Sequence, residues 1–335
     1  MRIMGRRRAL GAVLAGAFLL AGCSAGPGQV GAAAIIDGQV TSLDQVQTLL
    51  DRAVQEHPYA RQLASRQQLD LVGREIVRQE LLHEVVTKAA RKENIAVDET
   101  VIGGLLQQDP LSKPIPEALK QNQPMAVTQL VWRLRDHREA LVDQYLEQQL
   151  VAKYLPTLTV DVDLASTGSP NAESRAPAID PKVARGQAIA KAEEYAKNPS
   201  LVRSAQEGDP SNRLDLRVPA QAVPQDASTV LFGVSAGNVV AYQPTPATAP
   251  TYWLIAVVKQ RSTGTPVATD QVPPPTAAQL TAIGVRMLQP YLGDVSFKIN
   301  PRYGVWDVVG MDLAPTANDL KGIVVPVHGG APAKQ

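Results

Sequence analysis

Few residues in this chain combine the side-chain types and the spacing that enzyme chemistry needs. Glu80 and His83 stand three positions apart on a predicted helix, which is the spacing of carboxylate-rich metal sites in helical bundles. The sequence contains no second Glu-x-x-His pair, so we expect both residues on a solvated helical face. Asp161 and Asp163 alternate along a predicted strand and therefore face one side of it, but two acids alone define neither a hydrolase nor a metal site. The sequence predicts no catalytic residue, no metal ligand and no cofactor.

The composition argues against several classes of function. One cysteine and four histidines in 335 residues rule out an intrachain disulfide and leave little material for a metal cluster or a catalytic triad. The formal net charge is +1, and loss of the first 22 residues, which carry four arginines and no acid, would lower it by four to −3. A nucleic-acid binder needs a concentrated basic surface, so we expect no nucleic-acid partner.

The single cysteine, Cys23, follows a segment with the parts of an export signal. Arg6–Arg8 precede an uncharged apolar run over 9–20, which is too short for a helix that crosses a bilayer core of about 30 Å. The residues that lead into the cysteine are Leu20, Ala21 and Gly22. This string resembles the lipobox of bacterial lipoproteins, which implies cleavage before Cys23, diacylglycerol on its sulfur, and a lipid anchor at the extracytoplasmic face of the cell membrane. The alternative is an ordinary signal peptide with a chance cysteine.

Apolar residues at helical spacing predict four helices in the first half of the chain. Ser42 and Gln45 have the spacing of a capping box before the first helix, and Pro58 ends it. The other helices are predicted over 65–94, from Asp98 to just before Pro110, and over 126–154. A short strand over 35–40, broken by an Asp-Gly turn, precedes them.

The start of this helical region resembles a known family of chaperones. The string Ala33–Thr41, with Ile36-Asp37-Gly38 at its centre, leads directly into an amphipathic helix. It is similar to the Val-Asn-Gly strand that opens the helical domain of SurA-like and PrsA-like chaperones. Ile76–Leu82 is similar to a Leu-Ile-x-x-x-Leu-Leu helix of the same family. The resemblance implies a helical chaperone domain.

A second resemblance lies in the middle of the chain. A helix over 181–197, a strand over 214–218, the string Val230–Val240 and a buried strand over 252–258 follow one another. This order is similar to a parvulin-type prolyl isomerase domain, whose site uses histidines on the first and last strands with a nearby cysteine or aspartate. Residues 166–264 contain no histidine and no cysteine. The resemblance therefore implies a degenerate parvulin-like module without isomerase activity.

The C-terminal part predicts a return to the helical region. Thr276 caps a predicted helix that ends near Tyr291, and a strand follows over 295–299. The string Asn300–Asp307 then resembles the tail of SurA-like lipoproteins from actinobacteria, in which a helix and a strand complete the N-terminal domain. The candidate client contacts in this string are Arg302, Tyr303 and Trp306. The alternative is a folded turn in which both aromatic residues pack on the helical core and the arginine pairs with an acid.

Together these elements predict an α+β fold: a SurA-like helical domain, completed by a C-terminal helix and strand, with a small parvulin-like α+β module inserted. The expected boundaries are a signal peptide over 1–22, a tether over 23–34, the helical domain over 35–165, a linker over 166–180, the degenerate parvulin-like module over 181–264, the returning helix and strand over 276–313, and a flexible tail over 314–335.

The expected function is that of a membrane-anchored, ATP-independent chaperone or foldase that binds unfolded exported polypeptides. We expect its client surface in a groove between the helical domain and the parvulin-like module. Two alternatives stay open. One is an active extracytoplasmic peptidyl-prolyl isomerase, which is the one enzyme class that the sequence suggests. The other is an adaptor lipoprotein that binds a single partner in the cell envelope.

Overall fold

The computed structural model describes residues 31–168, 179–206, 212–264, 266 and 272–328. Cys23, the lipobox residues before it and the whole predicted signal peptide lie outside this part of the chain, as do residues 169–178 of the predicted linker. The described residues form a mixed α+β fold with antiparallel sheets, which confirms the predicted class. No helix among them has the length and apolar character needed to cross a membrane.

An antiparallel hairpin leads into the helices. β1 (Ala32–Ile36) and β2 (Gln39–Ser42) are joined by the Asp37-Gly38 turn, in which both residues have positive φ. The predicted capping box is confirmed, because Ser42 Oγ accepts from Gln45 N at 3.0 Å and Gln45 Oε1 accepts from Ser42 N at 2.7 Å. The helices that follow are α1 (Leu43–Glu56), α2 (Pro58–Ser65), α3 (Leu69–Lys92), α4 (Glu99–Gln108), α5 (Glu117–Lys120), α6 (Gln123–Leu134) and α7 (His137–Tyr154).

The helix predicted over 126–154 is in fact two helices. Arg135 is extended, with φ −79° and ψ 172°, and the Asp136 carboxylate accepts from Glu139 N at 2.9 Å to cap α7. An aspartate at this position satisfies an otherwise free N–H group of a new helix start. Because the chain turns here, the Arg135 side chain reaches Asp143, about two turns along α7.

A five-stranded antiparallel sheet forms the next part of the chain. Its elements are β3 (Leu158–Thr167), α8 (Pro181–Lys197), α9 (Leu201–Gln206), β4 (Arg213–Pro219), α10 (Val230–Gly233), β5 (Asn238–Tyr242) and β6 (Trp253–Thr263). β3 lies between β6 and β4. It pairs with β6 as far as Thr167, so the boundary that we placed between 165 and 166 cuts through a strand.

Both faces of this sheet are covered. Ala165, Val239 and Ile255 pack with α8 and α9 in one cluster of buried residues. On the opposite face, Val160 and Val258 belong to the large core that also contains the helices α1, α3, α6 and α7. The sheet is therefore a central layer between two sets of helices.

The C-terminal elements pack on the N-terminal ones. α11 (Ala277–Leu288) lies against α7 and α3. Gly284 allows this approach, because a Cβ at its position would lie 3.1 Å from Glu147 Cβ. β7 (Phe297–Ile299) then pairs antiparallel with β1, and β8 (Val305–Asp307) forms a hairpin with β9 (Asp312–Ala314).

The prediction of a flexible tail over 314–335 is wrong up to Pro326. β10 (Gly322–Pro326) pairs antiparallel with β5 and forms an outer strand of the five-stranded sheet. Ile323 and Val325 pack in the α8 cluster, while Val324 packs on the large core. This β-branched run fits a pleated, half-buried position, and its burial outweighs the small and polar residues that suggested a loose tail.

Candidate functional site

A cavity of about 650 Å³ lies among α3, α6, α7, α11 and residues 310–315, and we call it the interhelical cavity. Much of its wall is apolar, with Leu82, Met125, Trp132, Val285 and Met311 among the lining residues. Of the lining residues, only Ser228 comes from the sheet region. This cavity is therefore not the groove that we expected between the helical and parvulin-like parts. Core side chains occupy the sheet face that meets the helices.

The cavity also carries charged side chains of both signs. The four arginines in its lining are Arg74, Arg78, Arg135 and Arg286. The four carboxylates are Glu75, Asp143, Glu147 and Asp312. Two of these residues form a close pair, since Arg78 Nη1 lies 3.0 Å from Glu75 Oε1. Arg78 Nε also donates to the backbone oxygen of Met311 at 2.7 Å, which fixes the loop before β9 against α3.

Glu147 is the most unusual acid of this set. It is 9 % exposed and lies on α7 where Gly284 of α11 comes closest. Burial, and then the negative charge of Asp143, raise its pKa to about 8, against the opposing effect of Arg78 and Arg135. The carboxyl is therefore mostly protonated, and so uncharged, at pH 7.

Arg286 connects the cavity to the sheet region. Its guanidinium donates to the backbone oxygens of Ser228 and Val309, each at 2.7 Å. Burial lowers its pKa to about 9, but the group stays charged at neutral pH. Since Ser228 precedes α10 and Val309 follows β8, this one side chain joins three parts of the chain.

A second group of charges surrounds Arg135. Its Nη2 donates to Asp143 Oδ2 at 2.6 Å and also to Glu139. His83 Nδ1 lies 2.9 Å from Asp143 Oδ1, and this hydrogen bond raises the pKa of His83. Glu80, on the same helix, is half-buried, and burial raises its pKa. The prediction of a solvated face for Glu80 and His83 is therefore wrong, because α6 and α7 cover it.

The same group has the composition of a metal site but not its electrostatics. His83, Glu139 and Asp143 offer ligand atoms that lie within 4.8 Å of one another. The guanidinium of Arg135 already bonds both carboxylates, so a positive charge stands where a cation would bind. We therefore interpret the group as an ion-pair network, which stabilises the start of α7 against α3.

The three candidate client contacts do not line the interhelical cavity. Tyr303 is 7 % exposed and packs toward α3, where a Cβ on Gly73 would lie 3.3 Å from its ring. Trp306 is half-buried and meets the Phe297 ring edge-on, at 5.9 Å between centroids. Arg302 is exposed and has no ion pair with an acid in the described residues. The folded-turn alternative fits both aromatic residues, but its predicted ion pair for the arginine does not form.

The paired aspartates on β3 also have a structural environment. Asp163 is buried, and it accepts from Lys259 Nζ at 2.6 Å and from Asp215 N at 2.7 Å. Lys259 bridges to the Asp215 carboxylate as well. Asp161 lies on the same side of the strand and is half-buried. The acids on this face therefore join β3, β4 and β6.

Sequence reasoning missed most of the polar lining of the cavity. The signal was present, because Glu75 and Gln79 fall on the apolar stripe of α3 between Val72 and Leu82. Polar residues at core positions of a helix are unusual and mark a buried polar site. A helical-wheel inspection of the polar residues would have found them, whereas their partners on α7 and α11 depend on the fold.

Comparison with protein-family models, with curated proteins and with solved structures found no match for this chain. Its function is therefore inferred from its own residues and their geometry.

Proposed function

We propose that this protein is a lipid-anchored, extracytoplasmic, ATP-independent chaperone that binds unfolded exported polypeptides. The observation that carries the proposal is the interhelical cavity, with its largely apolar wall and its charged side chains of both signs. Its volume of about 650 Å³ falls within the range of about 300–1,000 Å³ that is usual for ligand sites. A cavity of this kind accepts apolar segments without selecting for a charge.

The residue types of the wall support binding of varied clients. Met125 lines the cavity and is partly exposed. Methionine is unbranched and polarizable, so it adapts its shape to different apolar partners and is common on surfaces that bind many of them. Trp132, also in the lining, supplies a large amphipathic ring, a type of contact that often contributes strongly to binding.

The element order supports the finer fold that we propose. A hairpin followed by a capped helix, with β7 added beside β1, is compatible with a SurA-like helical domain completed from the C-terminus. The succession α8, β4, α10, β5 and β6 is compatible with a parvulin-like module. In this proposal the module also takes β3 and β10 into its sheet.

Prolyl isomerase activity has weaker support. The catalytic histidines of parvulins are absent from 166–264, and β3 and β6, which would carry them, are covered on both faces. Twisting an Xaa–Pro amide, with its barrier of about 20 kcal/mol, needs an accessible pocket. We expect the protein to leave the isomerisation rate of a short proline peptide unchanged.

Client binding is tested by aggregation of a denatured enzyme diluted from guanidinium, followed by light scattering. The protein used is the mature chain with Cys23→Ser, which carries no lipid. We expect suppression at equimolar protein, and we expect Ala282→Glu to weaken it, because this exposed alanine lines the cavity and the new carboxylate would lose its hydration against an apolar client segment. The control is Ala190→Glu, an exposed alanine on α8 outside the lining. Equal suppression by both variants would place client binding elsewhere.

The lipid anchor is tested separately on the full chain. We expect the wild-type protein in the membrane fraction and Cys23→Ser in the soluble fraction, because two or more acyl chains anchor a protein stably. Incorporation of a labelled fatty acid into wild type but not into the variant is the direct measurement. A membrane-bound Cys23→Ser variant would contradict lipid anchoring at this residue.

A further inference from the structure

Three buried polar atoms in the wall of the interhelical cavity have no hydrogen-bond partner within the described residues. They are Gln79 Oε1, Arg135 Nε and Gln144 Nε2. Buried polar atoms in proteins are nearly always paired. Three such atoms around one cavity therefore indicate what kind of group the cavity takes.

The acceptor in this set is well defined. Gln79 Nε2 donates to Glu75 Oε1 at 2.8 Å and to the backbone oxygen of Thr128 at 3.2 Å. Both partners are acceptors, so a flipped amide would place oxygen against oxygen. The Gln79 side-chain oxygen, Oε1, is therefore the atom without a partner, and the residue is 3 % exposed.

The donors come from the turn between α6 and α7 and from the middle of α7. Arg135 uses Nη2 for Glu139 and Asp143, and its Nε–H is the group without a partner. Its side chain is 7 % exposed. Gln144 follows Asp143 on α7 and, with its amide oriented as in this structure, contributes the second donor, Nε2–H.

One acceptor and two donors match an amide group. A peptide amide has one N–H and one carbonyl oxygen with two lone pairs. The arginines of the lining already bond a carboxylate or a backbone oxygen, so a neutral group enters without leaving a charge unpaired. The apolar wall formed by Leu82, Trp132 and Met311 suits the side chains on either side of that amide.

We propose that the cavity recognises the backbone amide of an uncharged, extended client segment, with Gln79 Oε1 as acceptor of its N–H and with Arg135 Nε and Gln144 Nε2 as donors to its carbonyl. This assignment rests on the proposed client-binding function. It implies that binding depends on the main chain of the client more than on its particular side chains.

The test uses a blocked peptide, acetyl-Ala-Leu-Ala-Leu-Ala-amide, and analogues in which one amide at a time is replaced by an ester. Calorimetry measures their binding to the mature chain with Cys23→Ser. An ester lacks the N–H donor, and loss of one neutral hydrogen bond weakens binding about fivefold. We expect this loss at one position of the peptide, and no further loss at that position in Gln79→Met.

Variants separate this assignment from the proposed function. Gln144→Met should also weaken binding about fivefold, whereas the matched control Gln148→Met, an exposed position on the same helix, should bind as wild type does. Equal binding of all esters and all variants, with aggregation still suppressed, would overturn the amide assignment and leave the chaperone proposal standing. A wild-type protein that neither binds the peptide nor suppresses aggregation would overturn both. The ester peptides are first measured on protein that has no substitution in the cavity. This comparison therefore stays informative even where a cavity variant misfolds.

Discussion

Glu93 and Glu147 are two glutamates of the same helical core in opposite electrostatic environments. Glu93 follows α3 and accepts hydrogen bonds from Lys153 Nζ at 2.7 Å, from Tyr291 Oη at 2.6 Å and from the Tyr154 hydroxyl. Although burial alone would raise its pKa, the bonds from Lys153, Tyr154 and Tyr291 lower it to about 2. Burial instead raises the pKa of Glu147 to about 8. One glutamate is a charged structural link, and the other is a neutral group in a cavity.

The difference shows that donors, more than burial, decide the role of a buried acid here. Both residues are shielded from water, since the Glu93 side chain is 16 % exposed and Glu147 is 9 % exposed. The oxygens of Glu93 are occupied by three side chains that join α3, α7 and the segment after α11. Glu147 has only electrostatic support from Arg78 and Arg135, so its carboxyl stays available to the cavity. The comparison separates an acid that holds the helices together from an acid that lines the cavity.

The largest expected effect is that Glu147→Gln removes a pH dependence of the free energy of unfolding. In wild type the folded-state pKa of about 8 lies above the unfolded value, so folded protein holds a proton that unfolded protein has lost. Stability therefore falls as pH rises from about 4.5 to 8, by roughly 1.4 kcal/mol per unit for one proton. We expect the free energy of unfolding of the variant to rise relative to that of wild type by that amount per pH unit. Urea unfolding at several pH values measures this difference.

The sign of this gain is what tests the raised pKa of Glu147. A difference between Glu147→Gln and wild type that stays constant from pH 5 to 8 would show that Glu147 is ionised throughout. A variant that loses ground to wild type as pH rises toward about 4.5, and not above it, would show a lowered pKa.

The second effect is a destabilisation by Glu93→Gln of about 3 kcal/mol at pH 7, because hydrogen bonds to a charged acceptor are the strong ones. The pKa of Glu93 is lowered, so its stabilising contribution is present above the unfolded pKa of about 4.5 and is lost as pH falls toward 2. The difference in free energy of unfolding between wild type and the variant should therefore shrink at acid pH. Glu56→Gln, an exposed position at the end of α1, is the control and should change stability by less than about 0.5 kcal/mol.

The third effect concerns the helix that covers Glu147. Gly284→Leu should destabilise the fold by about 2 kcal/mol, because the new side chain would meet Glu147 at the closest point between α11 and α7. The control is Gly186→Ala on α8, where a Cβ meets nothing within 4 Å and helix propensity predicts a gain of up to about 1 kcal/mol. If Gly284→Leu also admits water, the pH slope assigned to Glu147 should become shallower. A Gly284→Leu variant as stable as wild type would contradict the tight approach of the two helices.

Local signals made much of the helical architecture predictable. The caps at Ser42 and Asp98 satisfy N–H groups within three residues of themselves, so the sequence contains the complete interaction. Asp136 carries the same signal, but the apolar spacing on both sides of it suggested one continuous helix. β10 was missed for a different reason, because its partner β5 lies some eighty residues earlier and no short pattern identifies that pairing.

The candidate site was less predictable than the fold, because its parts are brought together by packing. Gln79 and Gln144 lie on different helices. The position of Gln79 on the apolar stripe of α3 is a local signal, but nothing in the sequence brings it together with Gln144. The resemblance to SurA-like chaperones led us to the string that contains Tyr303 and Trp306, and both side chains pack within the fold. Distinctive aromatic residues in a short string can serve packing, while ordinary amides on helices line the cavity.

The smallest expected effect sharpens the contrast between the two glutamates by removing one donor. Tyr154→Phe takes one hydroxyl from Glu93 and leaves the bonds from Lys153 and Tyr291 in place. We expect a loss of about 1 kcal/mol in urea unfolding, with the acid limb of the stability profile displaced to higher pH because the pKa of Glu93 rises. Tyr145→Phe, on the same helix and partly buried, is the matched control and should show no displacement. Equal profiles for both variants would mean that Lys153 and Tyr291 alone keep Glu93 ionised, and the contrast with Glu147 would then depend on two donors rather than three.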